Sequence, residues 1–470
     1  MLVSWLCVSI LKEKIMAYST LSNLLVAENQ AQQVVACAEN ANKYWIDFTT
    51  DVAELTEYLV LQNELRWALC CEDSYLFAVG LFALAYASKE IVLPGNQQPE
   101  MLTLLADQFD GFISDGLQLG GSLKKHCHLP FDGKNAKSIS EPLDIENITL
   151  TLFTSGSSGF PKAITKTLAL LNAEVMCLET QWGALLNNTH ILSTVSHQHI
   201  YGLLFRVLWP LCAGRSFQRH DLIYPEQLVH VASENNTLVS SPALLKRLTG
   251  TTTAIGYRAI FSSGGPLTYQ TAVATTLNLK QTPIEVFGST ETGGIGFRQQ
   301  KQVSQPWEVF SDLQITLNEL SCLKIKSPWI DINNWYQTSD QCELLDEQHF
   351  ILKGRIDRVV KIEEMRVSLN EVEQRMNQLP WIDESAIILL NQQGRASLGA
   401  VISLNQQGKD KLSALGKGKF WILLRQKLRL WITPIAVPRY FRIIETIPVN
   451  KQGKRLHNQL LALFDSQGEA

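Results

Sequence analysis

The sequence predicts an α/β protein: a large N-terminal domain of layered sheets and helices, followed by a smaller C-terminal α+β unit. Three observations predict it. Through the first three-quarters of the chain short β-branched runs alternate with helical ones, the pattern of parallel strands buried between helices. Near Gly354-Arg355 a β-rich stretch gives way to two amphipathic segments flanking a strand. The charge changes sign at the same place. Residues 355–470 carry 18 Lys and Arg against 11 Asp and Glu, a net of +7, whereas the rest carries 23 against 34. This implies two units of opposite charge, residues 1–354 and 355–470.

The elements can be justified in order. Residues 1–15 are mildly apolar but carry Lys12 and Lys14 behind the apolar stretch, the reverse of a secretory peptide. They read as an upstream extension before Met16. Residues 54–69 read as a helix followed by a strand. Residues 75–87 form the longest apolar run, too short for the roughly 18 residues that span a bilayer, and read as a buried helix. Ile91-Val92-Leu93 is a strand closed by Pro94-Gly95. Residues 149–153 form a strand that ends in a Gly/Ser-rich loop, with helix again from Leu168. Later strands fall at residues 237–239, 258–261 and 284–287, and residues 314–352 are β-rich. In the last unit residues 369–379 and 420–431 are amphipathic and flank a strand at 386–390.

Composition narrows the function. A hydrophobic share of 46% and a charged share of 18% belong to a folded, soluble protein, and a net charge of -4 argues against bulk nucleic-acid binding. Nine cysteines, with no CxxC pair, suit core thiols in a reducing cytoplasm. His126-Cys127-His128 does not read as a metal site, because three neighbours cannot all face one ion and the chain has no second ligand pair at zinc spacing.

The strongest local signal is Thr154-Ser155-Gly156-Ser157-Ser158-Gly159-Phe160-Pro161-Lys162. Straight after a strand, such a loop turns backbone N–H groups and hydroxyls toward phosphate oxygens, and Lys162 adds charge. It is not a P-loop, since Pro161 and Ala163 flank the lysine where that motif needs Gly and Ser or Thr. The spacing of a kinase Gly-rich loop is absent too.

Together with several segments further along the chain, this loop resembles the phosphate loop of the adenylate-forming enzymes, which include acyl-CoA synthetases, adenylation domains of peptide synthetases and luciferases. The other matches come in the family's order. Phe287-Gly288-Ser289-Thr290-Glu291 resembles its aromatic-Gly-x-Thr-Glu motif, and Tyr336-Gln337-Thr338-Ser339-Asp340 its Tyr-x-Thr-Gly-Asp motif. Gly354-Arg355-Ile356-Asp357-Arg358 and the residues to Glu373 resemble the hinge and the helix after it. Pro448-Val449-Asn450-Lys451-Gln452-Gly453-Lys454 resembles the catalytic-lysine motif. Ser196-His197-Gln198-His199-Ile200-Tyr201-Gly202 resembles the segment flanking the acyl pocket, with His199 in register. Ser262-Ser263-Gly264-Gly265-Pro266-Leu267 resembles the turn under the adenine.

The resemblance implies a role for each. Glu291 would hold Mg²⁺, and Thr290 would contact the α-phosphate of ATP. Thr154, Ser155, Gly156, Ser157, Ser158, Gly159 and Lys162 would face the outgoing pyrophosphate. Gly264, Gly265, Phe287 and Gly288 would line the nucleotide, and Asp340 and Arg355 the ribose. Lys454 would bridge carboxylate and α-phosphate oxygens as charge builds in the transition state. Asp357 would be the pivot on which the small domain, a mobile lid, rotates between an adenylation step and a thiol-transfer step.

The expected activity is ATP-dependent activation of a carboxylic acid, aryl or fatty, to an acyl-adenylate, with pyrophosphate release and transfer to a phosphopantetheine thiol. Glu364 stands where the family usually has a glycine beside the pantetheine channel. With the basic cluster Lys417, Lys419, Arg425, Lys427 and Arg429, it points to an acyl carrier protein as acceptor, with free CoA as the alternative. A non-catalytic nucleotide or acyl-adenylate binder is the reading from another class, and would be expected to lack Lys454, Glu291 or Asp340. All three are present.

Overall fold

The computed structural model describes residues 18–27, 31–38, 41–95, 99–116, 125–133, 136–154, 161–248, 252–362, 365–392, 395–450 and 455–465. The chain forms two compact units, Met1–Val239 with Thr252–Ile260 and Leu279–Gln281, and Ser240–Thr251 with Phe261–Asn278 and Thr282–Ala470. The predicted α/β class holds, with a small α+β part at the C-terminus.

The first unit is built on parallel strands. One sheet runs in the order Lys125–His128, Gly111–Ser114, Arg66–Cys70, Glu90–Leu93, Thr149–Thr154, Lys162–Thr167. Its first five strands are parallel, and Lys162–Thr167 closes the edge antiparallel to Thr149–Thr154. Elsewhere in this unit His190–Ser193 lies parallel to Asn236–Ser240 and to Phe217–Gln218. Between strands runs the helix Ser74–Tyr86, buried on every side from Ser74 to Ala85, so its apolar run has no polar face to show. Each such buried Phe or Leu contributes about 1.5–3 kcal/mol as an upper estimate. Its start is fixed by Asp73, which accepts the N–H groups of Tyr75 (2.8 Å) and Leu76 (3.3 Å) and pairs with Arg219 Nε at 2.7 Å. The helix before it begins at Trp45 rather than near Glu54 (Trp45–Val60). Its aromatic and β-branched first turns look strand-like in sequence, but Trp45, Phe48 and Val52 supply its buried face.

The second unit carries a long antiparallel run: Ile284–Ser289, Gly293–Gln299, Trp307–Val309, His349–Arg355, Asp331–Leu344, Cys322–Ser327 and Gln314–Leu317. Phe261 and Ser262 pair in parallel with Ile284 and Glu285 at its other edge. Beyond Arg355 come the turn Ile356–Arg358 and the hairpin Val359–Ile362/Met365–Ser368. Next in the chain is a sheet of Ile382–Gln392, Arg395–Leu404 and Tyr440–Ile443. Its residues alternate between two cores. Ile387 faces Met376, Phe420, Leu424 and Leu428, whereas Ile388 and Leu390 face Ile447, Leu460 and Phe464. The helix predicted from Phe420 starts earlier, at Gln406, and runs to Leu428 with a break at Gly416, whose φ is 72°. That break divides the polar stretch 406–415 from the amphipathic part and hid the first half from a periodicity reading.

The described cysteines are free thiols; Cys70, Cys71, Cys127, Cys177, Cys212, Cys322 and Cys342 are buried and Cys37 is half-buried. Cys127 points inward from a strand whose His126 and His128 are exposed, the alternation that separates the three side chains. No described helix is long and apolar enough to cross a membrane.

Candidate active site

In the first unit the predicted residues gather at the carboxyl ends of parallel strands, the usual ligand edge of an α/β sheet. Thr154 ends its strand directly opposite Lys162, and the Thr154 hydroxyl donates to the Lys162 carbonyl at 3.4 Å. These two residues close the base of the loop predicted to face phosphate. Ser155, Gly156, Ser157, Ser158 and Gly159 lie outside the described residues. Gly95 follows the neighbouring strand Glu90–Leu93 with φ at 82°, a left-handed turn that favours glycine. A Cβ there would sit 2.5 Å from the Phe153 carbonyl oxygen and 3.6 Å from His199 Cε1. The structure thus brings His199 near the end of the strand Thr149–Thr154.

His199 is partly exposed and caps a helical stretch through residues 200–212 that includes a wide π turn at Leu203–Leu208. His197 has a different place. Its ring is buried, with Nε2 at 2.8 Å from the Cys71 carbonyl and Nδ1 at 3.2 Å from the Ser74 hydroxyl. Burial first, and the Arg206 charge second, lower its pKa to about 3, so it is a neutral core residue. Beneath this segment the fully buried Arg206 donates to the Val195 carbonyl at 2.9 Å and pairs with Asp221. A basic residue in the apolar run 203–213 was the sequence signal for that support, and motif reading passed over it.

In the second unit Thr290 and Glu291 stand at the tip of a hairpin. Ser289 pairs with Gly293, and the turn is tied by the Ser289 N–H donating to the Thr292 hydroxyl at 3.0 Å. A Cβ on Gly288 would lie 2.1 Å from the Gly293 carbonyl oxygen, so only glycine lets the two strands meet there. Ser263 donates to the Val286 carbonyl at 2.7 Å, which fixes the Gly264-Gly265 turn beside the same strand. Phe287 packs on Trp307 and Phe350, with ring centroids 5.4 and 5.9 Å away. Glu285 is buried and paired with Arg298 at 2.9 and 3.1 Å, which anchors the base of the hairpin.

Asp340 and Arg355 face each other across the antiparallel pair Asp331–Leu344/His349–Arg355. The Asp340 N–H donates to the Thr338 hydroxyl, which donates onward to the Leu323 carbonyl at 2.9 Å. Asp357 falls in the middle of the turn Ile356–Arg358 that leaves the sheet. Lys454 and Glu364 lie outside the described residues. Of the basic cluster, Lys417, Lys419, Lys427 and Arg429 are exposed, but Arg425 is half-buried, stacks over Phe441 at 5.5 Å and donates to the Arg439 carbonyl.

A carboxylate on a turn suits Mg²⁺, which is commonly held by one or two carboxylates together with phosphate oxygens of a nucleotide. Glu291 meets that description, and no described cluster of three His, Cys, Asp or Glu offers a protein cage instead. The first unit also has a cleft of about 760 Å³ at the opposite, amino-terminal end of the strand His190–Ser193. It holds none of the predicted site residues. Its Arg215 guanidinium is spent on Glu179 and on the Leu186 and Gly183 carbonyls.

Comparison with known proteins agrees with this arrangement. Residues 83–311 match the family model for AMP-binding enzymes. VraA of Staphylococcus haemolyticus, whose name places it among long chain fatty acid–CoA ligases, is 22% identical over 355 residues, 71% of this chain and 74% of that protein. The 4-coumarate–CoA ligase of Rhodobacter capsulatus is 24% identical over 307 residues, 64% of this chain and 73% of that one. Among solved structures, ATP-bound MatB from Rhodopseudomonas palustris superposes with a TM-score of 0.79 at 16% identity. That match covers 95% of this chain and 99% of that one, and shows a shared fold. With the motifs falling in order on strand ends, the hairpin tip and the turn Ile356–Arg358, residues 83–311 match the AMP-binding enzymes, and the whole chain shares the fold of the adenylate-forming ligases.

Proposed function

We propose that the protein activates a carboxylic acid with ATP and transfers the acyl group to the thiol of coenzyme A. The observation that carries the reading is the hairpin tip that presents Thr290 and Glu291 on a turn braced by Ser289 and Thr292. In the first step a substrate carboxylate oxygen bonds to the α-phosphorus and the bond to the β-phosphate oxygen breaks, releasing pyrophosphate. Two anions approach each other, so the site must supply positive charge and donors. Lys162 and Lys454 supply charge, the Thr290 hydroxyl a donor, and Asp340 with Arg355 hold the ribose. Mg²⁺ at Glu291 would neutralise phosphate charge when bound. His199 shelters the carboxylate. In the second step a thiolate sulfur attacks the acyl carbon and AMP leaves.

CoA is preferred as acceptor because the named relatives are CoA ligases. The carrier-protein reading rests on Glu364, which lies outside the described residues, and on the basic cluster, from which Arg425 is partly withdrawn by Phe441. The domain boundary is placed at residues 354/355, with Asp357 as pivot and residues 355–470 as the lid. The free cysteines support a cytoplasmic location.

The test is a hydroxamate-trapping screen across benzoates, hydroxycinnamates and fatty acids, and then thioester assays. Pyrophosphate and AMP are the expected products, with ADP or no turnover contradicting the reading. Thioester on a holo-carrier protein but not on CoA would exchange the acceptor.

A further inference from the structure

The helix Gln406–Leu428 has one side in the core and one side that the fold leaves uncovered. After its break at Gly416, Phe420, Leu424 and Leu428 recur every four residues and are buried with Met376 and Ile387. The opposite side carries Lys419, Ile422, Gln426 and Lys427, all exposed. Past the helix end Arg429, Leu430 and Trp431 stay outside before Ile432 returns to the core. Ile422 is 56% exposed, Leu430 72% and Trp431 62%, and none of the three belongs to the apolar core. Large apolar side chains left outside in a group call for a partner.

The charge around them has one sign. Residues 411–444 hold eight Lys and Arg and no Asp or Glu. Lys419 stands one turn before Ile422, and the Leu430 N–H still donates to the Lys427 carbonyl at 3.3 Å, which keeps those two residues on one turn. From the helix Leu369–Asn377 the Arg375 guanidinium lies 4.8 Å from the Trp431 ring centroid, so a further cation sits on this ring. Its Nη1 donates to the Gln378 side-chain oxygen at 3.2 Å rather than to a carboxylate.

We propose that this face docks on a lipid bilayer whose surface carries anionic headgroups, with Leu430 and Trp431 entering the headgroup layer. Stable peripheral attachment takes two signals, an apolar anchor and a basic patch, and both lie here within about one helical turn. Lys and Arg keep their heads at phosphate level while their stems lie along the acyl boundary, and a tryptophan ring favours the same depth. An acidic protein would match the charge. Its interface, however, would have a dry centre depleted of charge, whereas here each apolar residue stands beside a cation. The attachment is peripheral, since no described helix is long and apolar enough to cross the bilayer. It does not depend on the reaction proposed above.

The experiment is flotation of the full-length protein with phosphatidylcholine vesicles, with and without about one-third phosphatidylserine. The parent should float with the anionic vesicles at about 0.1 M NaCl and at least about tenfold less at about 0.5 M. Leu430→Ser with Trp431→Ser should lower partition about tenfold or more. Lys427→Glu with Arg429→Glu should lower it by at least about 100-fold, at about fivefold per unit of charge. All four positions are exposed, so melting temperatures should stay close to the parent's. Should a double variant melt lower, Trp431→Ser and Arg429→Gln alone report the same two signals. No binding by the parent, equal binding to neutral vesicles, or parental binding by either double variant overturns the proposal. A holo-carrier protein that binds the parent but not the charge-reversed variant, with anionic vesicles failing to compete, overturns it too and assigns the face to an acidic protein.

Discussion

His197 and Ser74, 123 residues apart in the chain, meet in the core at 3.2 Å, and the other ring nitrogen of His197 faces the Cys71 carbonyl oxygen at 2.8 Å. That carbonyl can only accept, so Nε2 carries the proton, and the one hydrogen of the Ser74 hydroxyl is shared between Nδ1 and the Arg219 carbonyl at 3.0 Å. The pair seats the segment from which His199 emerges.

His197 makes stability depend on pH. Its folded pKa is lowered to about 3, and that of the half-buried His190 to about 4. The unfolded chain takes up protons near pH 6.5 that the folded one refuses, so stability is complete above that pH and falls as pH drops toward 3. Calorimetric melting temperatures of the parent should decline between pH 6.5 and 5, before most carboxylates titrate. His197→Gln should be less stable at pH 8 but show a shallower decline over the same window. A parent curve flat from pH 7 to 5 contradicts the assignment.

Asp73 caps a wholly buried helix and pairs with Arg219, with its side chain only 6% exposed. Asp73→Ala removes the cap and leaves a partly buried guanidinium without its anion. Denaturant unfolding should show a loss of about 3–5 kcal/mol. A change below about 1 kcal/mol would mean that water replaces the carboxylate.

Lys454→Ala should lower acyl-adenylate formation by about 10²–10³, the effect of removing one charged transition-state donor. Transfer from a preformed acyl-adenylate should be largely spared. Single-turnover rates for each half-reaction check this, and equal losses would refute a lysine that serves one step alone.

Asp357→Pro fixes φ near -65° within the turn that leaves the sheet. If the lid pivots there, one orientation is favoured and the ratio of the two half-reaction rates should shift by about tenfold or more. Both rates intact would place the pivot elsewhere.

Much of the candidate site was legible because its parts are local. The strand before Thr154, the Phe287–Glu291 turn and the hinge each occupy a few consecutive residues whose types state their geometry. The ion pairs of Glu384 were not legible. Arg455 and Glu384 are 71 residues apart and Lys246 and Glu384 are 138 apart, and in sequence each reads as an ordinary solvated charge. The choice between His197 and His199 needed burial as well as register, since both flank the same glutamine. Arg425 shows the converse: it counts toward a basic patch in sequence, but its guanidinium is used against Phe441 and the Arg439 carbonyl.

The buried thiols bear on the chemistry itself. Cys342, two residues from Asp340, donates its S–H toward the Asp340 carbonyl at 3.7 Å, and burial, with nearby negative charge, pushes its pKa up to about 12. Burial likewise lifts Cys127 to about 12 and holds Cys70 and Cys71 well above the ordinary thiol range. Such buried groups stay protonated at neutral pH, and the thiolate is the form that reacts. A mixed anhydride of acid and AMP acylates any thiolate within reach. Burial keeps the described thiols from competing for the acyl group in the proposed reaction, which leaves it to an external acceptor thiol.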